Sequence, residues 1–115
     1  MPLIHLITSS EAPAQADALL RDLSALLARE LGKPEAYVMT LLETDARMTF
    51  GGSVHPACYV EVKNVGTFGS ELTQLLSRAI TDRVSRALGV PSSRIYIEYV
   101  EAPPHLWGHD GSTFA

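Results

Sequence analysis

Two stretches of this 115-residue chain repeat one another at a constant offset of 57 positions. Leu19 matches Leu76, Leu23 matches Ile80, Leu27 matches Val84 and Leu31 matches Leu88, and the correspondence runs on through Gly32/Gly89, Pro34/Pro91 and Val38/Ile95. Such a duplication means that whatever one half folds into, the other must fold into as well. In "ADALLRDLSALLARELG" the leucines at 19, 20, 23, 26, 27 and 31 fall on one helical stripe; in "ELTQLLSRAITDRVSRALG" the stripe is Leu72, Leu75, Leu76, Ala79, Ile80, Val84 and Leu88. Each helix is followed by "LGxP", where glycine supplies a left-handed cap and the proline cannot continue the helix. The flanking segments "LIHLIT", "YVMTLLE", "CYVEVKNV" and "RIYIEYV" read as strands. Strands joined through a crossover helix in one sheet run parallel, so two such units predict four strands with both helices on one face. Leu3, Val60, Val62, Ile95, Ile97 and Tyr99 form one set of strand side chains, and Ile4, Leu6, Tyr59 and Tyr96 a second. Neither set is polar, and covering the face without helices calls for self-association.

Length and composition narrow the classes. The chain suits a single domain over residues 1–115, made of units of about 1–57 and 58–115. Nine basic against thirteen acidic residues, with no basic run, argue against nucleic acid or an acidic membrane as partner. Cys58 is the only cysteine, so an internal disulfide, a thiolate zinc site and a dithiol redox pair are all excluded. There is no run of the roughly 18 apolar residues a membrane helix needs and no leader pattern in "MPLIHLITSSEAP", which makes the cytoplasm the expected location. His105 and His109 stand four apart with Asp110 adjacent, but Pro103, Pro104 and Gly108 oppose a helix there, so no metal site is expected. Neither GxGxxG nor GxSxG occurs, and no cofactor is implied. Cys58, Tyr37, Tyr59 and Tyr99 read as packing residues, and Trp107 and Phe114 in the tail must cover either this protomer's core or a neighbour.

Chemistry is to be sought where the two halves differ. At the first corner the residue after glycine is Lys33; at the second it is Val90. Lys33 either sits solvated against the helix C-terminal dipole or carries a charge that a site needs. Pro2 stands opposite Tyr59 at the same offset. A proline commonly begins a strand, having no N–H to give the ladder. Directly behind Met1 it has a second possibility: removal of the methionine turns its ring nitrogen into a secondary amine that can accept a proton.

The segments "MPLI", "LGKP" at 31–34, "MTFGGS" at 48–53, "RIYIEY" at 94–99 and "GSTFA" at the end together resemble the macrophage migration inhibitory factor group of the tautomerase superfamily, over essentially the whole chain. The resemblance implies an α+β fold in which duplicated β-α-β units form a four-stranded mixed sheet with two helices on one face, assembled as a homotrimer with sites between subunits. It implies keto–enol tautomerisation of aromatic 2-keto acids such as phenylpyruvate, or else a secreted, cytokine-like binding module, exported without a signal peptide, whose enzymatic activity is incidental. Carried over by position, Pro2 is the catalytic base, Lys33 holds the substrate carboxylate, Val65 contacts substrate through its backbone, and Tyr96 is an aromatic wall from a neighbouring subunit. Trp107 belongs to the tail wall. Three departures stand out: Glu98 where an asparagine is common, Trp107 and His109 where an apolar residue and a tryptophan are common, and Ala57 and Val60 in place of a cysteine pair. The enolisation needs a base that is neutral at working pH. A terminal amine starts near pKa ~8, and burial or a nearby cation such as Lys33 lowers it.

Overall fold

Both long helices stop on a left-handed glycine. In the computed structural model, which describes residues 1–115, α1 (Ala16–Leu31) ends at Gly32 with φ +62° and α2 (Ser70–Leu88) at Gly89 with φ +68°. The cap N–H groups donate to Ala28 O and Ser85 O, positions that are themselves 57 apart. Pro34 (φ −62°, ψ 132°) and Pro91 (φ −58°, ψ 140°) come next, each opening a 3-10 turn (Glu35–Tyr37 and Ser92–Arg94) that delivers the chain into a strand. The buried stripes are Leu19, Leu23, Leu26 and Leu27 on α1 and Leu76, Ile80, Val84 and Leu88 on α2.

The strands are β1 (Leu3–Thr8), β2 (Met39–Glu43), β3 (Cys58–Val65) and β4 (Ile95–Ala102). They lie in the order β2-β1-β3-β4, parallel within each half and antiparallel where β1 meets β3 at the centre. The sheet is therefore mixed, and the fold is the α+β architecture expected. Ile4, Leu6, Val60, Val62 and Ile95 join the helix stripes in one buried cluster. Truncating any of its large side chains to alanine would cost about 2–5 kcal/mol.

The sorting of strand residues onto faces needs correction. Leu3 pairs with Met39 in the first half, whereas Tyr59 pairs with Tyr96 in the second, so the first strands of the two halves correspond at an offset of 56 rather than 57. Ile4 and Leu6 thus share the helix-covered face with Val60 and Val62, and Leu3 lies on the other face with Tyr59 and Tyr96. Because side chains alternate along a strand, a slip of one residue exchanges the faces completely. Pro2 accordingly matches Cys58, not Tyr59, and both are buried. The two buried polar residues, Thr8 and Asn64, are also 56 apart.

On the uncovered face, Leu3, Ile7, Met39 and Tyr96 alternate with His5, Glu43, Glu61, Lys63 and Glu98. His5 bonds Glu43 across β1 and β2. After Pro103 the chain makes a 3-10 turn (Pro104–Leu106) and then a small hairpin, β5 (Gly108–His109) with β6 (Ser112–Thr113). Asp110 and Gly111 both take positive φ at its tip, as a two-residue hairpin with the twist of the strands requires. No helix is long and apolar enough to cross a membrane.

Candidate active site

Where β1 begins, the Pro2 side chain is fully buried and its carbonyl accepts a bond from Met39 N–H at 3.0 Å. Pro2 therefore stands immediately before the strand rather than as its first residue, and β2 holds it in place. The chain's amino group, borne by Met1, is held below the ordinary amine range first by burial and then by the nearby Lys33 ammonium.

Lys33 is positioned by the α1 corner. Its N–H donates back to Ala28 O at 3.0 Å, and its Nζ donates to Val65 O at 3.3 Å. Val65 is the last residue of β3 and is buried; Gly66 follows at φ +125°, a conformation closed to side-chain-bearing residues, and donates to Ala102 O. The α1 corner and the end of β3 thus converge, bringing together three of the expected positions: the amino terminus with Pro2, Lys33, and the Val65 backbone. A single Lys33–Val65 bond leaves ammonium donors free for an anion.

The tail supplies a wall. Met1, Tyr37, Val38, Met39, Trp107 and Phe114 line a cleft of about 200 Å³. Phe114 is fastened by its N–H to Pro104 O and Trp107 O, each at 3.2 Å, and its ring stacks on His109 at 5.8 Å while Tyr37 meets both edge-on. Trp107 and Phe114 thus cover this protomer's own amino-terminal cleft. His105 and His109 sit in a 3-10 turn and a strand, not four apart on a helix.

Tyr96 is not brought to this cleft. It is the second residue of β4, opposite Tyr59, while Leu3 lies opposite Lys63; the six residues from Tyr59 to Val65 span roughly 20 Å of strand. The residue is 66% exposed and its ring packs on Phe50 at 4.7 Å, beside a second cleft of about 310 Å³ that Met48, Cys58 and Tyr59 also line. Phe50 went unrecognised in the sequence; the double glycine after it, which turns its ring back toward the sheet, was the available signal. A separate surface groove of about 600 Å³ between α1 and α2 is lined by the paired Asp22–Arg83 and Asp82–Arg86 and by none of these residues.

Glu98 finds a partner. The Tyr59 hydroxyl donates to its Oε1 at 2.6 Å and lies 2.9 Å from Glu61 Oε2, so one proton is shared between two carboxylates. Tyr59 is thus more than a packing residue. Its phenol is raised chiefly by the Glu98 bond, and the Glu61 carboxyl is lowered chiefly by the Tyr59 bond and secondarily by Lys63, although its own partial burial opposes this. Burial pushes the Cys58 thiol up to about 12, which keeps it protonated and unreactive.

The chain matches the model of the macrophage migration inhibitory factor family over residues 1–115. It is 31% identical over 115 residues to the Xenopus tropicalis macrophage migration inhibitory factor, covering all of both chains, and 32% identical over 114 residues to a homologue from Trichinella spiralis, covering 99% of this chain and 100% of that protein. Among solved structures, the homologue from Prochlorococcus marinus superposes with a TM-score of 0.95 at 46% identity, covering 98% of this chain and 99% of that one. The Toxoplasma gondii protein superposes with a TM-score of 0.90 at 33% identity, covering 97% and 99%.

Proposed function

The chain belongs to the macrophage migration inhibitory factor family, and from that premise we propose that it is a keto–enol tautomerase acting on aromatic 2-keto acids of the phenylpyruvate type, with Pro2 as its base. The observation that carries this reading is the Lys33 ammonium, anchored on the Val65 carbonyl beside an amino terminus whose charge is disfavoured.

Loss of Met1 moves the free amine one Cα step, about 3.8 Å, inward to a residue that is fully buried. Desolvation there disfavours the cation more strongly than at the half-buried Met1, leaving the secondary amine neutral near pH 7. The substrate carboxylate pairs with Lys33, which fixes the reacting carbon beside the Pro2 nitrogen. The nitrogen takes the proton from C3; the C3–H electron pair forms the C2–C3 double bond and the carbonyl electrons move to the 2-oxygen. The same proton is then delivered to that oxygen, giving the enol, and the reverse sequence restores the ketone. Trp107 packs along the substrate ring and excludes water.

The uncovered sheet face, with apolar residues between its charged ones, is the surface on which two further copies pack. In that homotrimer Tyr96 reaches the neighbour's cleft, which accounts for an aromatic residue left two-thirds exposed in the isolated protomer.

The test is phenylpyruvate enolisation by processed protein, by Pro2→Gly and by protein retaining Met1. Loss of the base is expected to slow turnover about 10²–10⁴-fold in the Met1-retaining form, with Pro2→Gly between the two. The processed enzyme should lose activity on the acid side with an apparent pKa below the ~8 of an ordinary terminal amine. Equal rates in all three proteins would sink the proposal.

A further inference from the structure

Arg94 closes the second 3-10 turn and stands immediately before β4. Its guanidinium is spent entirely on backbone carbonyls of one loop: Nε donates to Pro56 O at 2.9 Å, Nη1 to Phe50 O at 3.1 Å, and Nη2 to both Ser53 O at 3.1 Å and His55 O at 2.9 Å. That loop is a tight turn, with Phe50 and Ser53 exchanging backbone bonds of 3.0 and 3.1 Å across Gly51 and Gly52, both at positive φ. The same guanidinium lies 5.2 Å from the centroid of the Phe50 ring. Phe50 in turn packs on Tyr96 at 4.7 Å. Arg94 and Tyr96 are two residues apart on the chain yet are also linked through the loop, so a single cation holds both the strand that carries the tyrosine and the ring against which the tyrosine rests.

We propose that Arg94 is a positioning residue for the active site of the neighbouring subunit: it fixes the 50–56 turn, the turn fixes Phe50, and Phe50 fixes the orientation of Tyr96 as that site's aromatic wall. This assignment rests on the tautomerase reading above. Lysine cannot replace it, because three donors on one nitrogen cannot span four carbonyls that the planar fork reaches from three nitrogens. The predicted defect lies in ground-state recognition of the substrate ring, not in proton transfer, because Pro2 and Lys33 belong to other elements.

The experiment compares wild-type, Arg94→Lys and Phe50→Leu trimers on phenylpyruvate and on an aliphatic 2-keto acid. A misoriented wall weakens one aromatic contact, so KM for phenylpyruvate should rise roughly 3- to 10-fold with kcat within about twofold, and KM for the aliphatic acid should rise less. In trimers mixed from Arg94→Lys and Pro2→Gly chains, the base-bearing sites whose wall comes from a Pro2→Gly chain should regain the wild-type KM. An unchanged KM in an active, trimeric Arg94→Lys protein overturns the assignment and leaves the tautomerase reading standing, as does a KM that stays high in every base-bearing site of the mixed trimers. If Arg94→Lys does not assemble, Phe50→Leu decides by the same split, since it keeps the fork and removes only the ring. No turnover by the wild-type enzyme overturns both.

Discussion

The two helix corners of this protein share one backbone and differ in the side chain placed directly after the glycine. Gly32 and Gly89 cap with nearly the same torsions, Pro34 and Pro91 open the same 3-10 turn, and both corners feed an outer strand. Between glycine and proline, Val90 is 1% exposed in the core, whereas Lys33 is partly exposed and reaches the Val65 carbonyl. A corner needs only glycine and proline; the residue between them is free to serve packing in one copy and charge in the other. Comparing the copies therefore separates the demands of the fold from those of the site without reference to any other protein.

The sharpest way to break the comparison is to give the second corner the first corner's residue. Val90→Lys forces an ammonium into a sealed apolar cluster, where the penalty is several kcal/mol, so the melting temperature should fall by more than about 10 °C. Thermal unfolding followed by circular dichroism reads this directly, and a near-native midpoint would mean the corners are not set apart by burial. The reverse exchange, Lys33→Val, should leave the midpoint within a few degrees. Losing a charge-assisted contact to the substrate carboxylate is worth about 1.5–3 kcal/mol, so kcat/KM for phenylpyruvate should drop roughly 10- to 100-fold.

The smallest effect concerns the strands, where Leu3 in one copy corresponds to Tyr59 in the other. Tyr59→Phe removes the proton shared by Glu61 and Glu98 and should cost about 0.5 kcal/mol at pH 7. Because the Glu61 carboxyl is held below its ordinary value, the stability it contributes is present above pH ~4.3 and is lost as pH falls through the lowered value. The gap in midpoint between wild type and Tyr59→Phe should therefore narrow progressively as pH falls below about 4.3; a gap that stays constant on acidification would assign the effect to packing.

Helices and corners were legible because leucine periodicity and the LGxP signal are local. The face assignment of β1 was not: the 57-residue offset holds through the helix, corner and second strand, but the spacing from Tyr59 to Leu76 is one residue longer than that from Leu3 to Leu19, a change that periodicity cannot register. The tail hairpin carried a readable sign in Asp110-Gly111, hidden by strands of only two residues. Lys33 stood out through the duplication and Val65 only through family resemblance; their contact joins residues 32 apart in sequence, a closeness that only the fold supplies. Arg94 gave no sign, because its partners are main-chain carbonyls, which every sequence has.

Met1 and Phe114 line the same cleft, so two residues 113 positions apart in sequence meet at one mouth. A short linker closing them into a circle, with new ends opened at a distant surface bend, would preserve every packed side chain while locking the Pro2 nitrogen into an amide. Architecture and reactivity could then be had one without the other, and an affinity tag fused to Met1 or just beyond Phe114 sits on the doorway it is meant to leave alone.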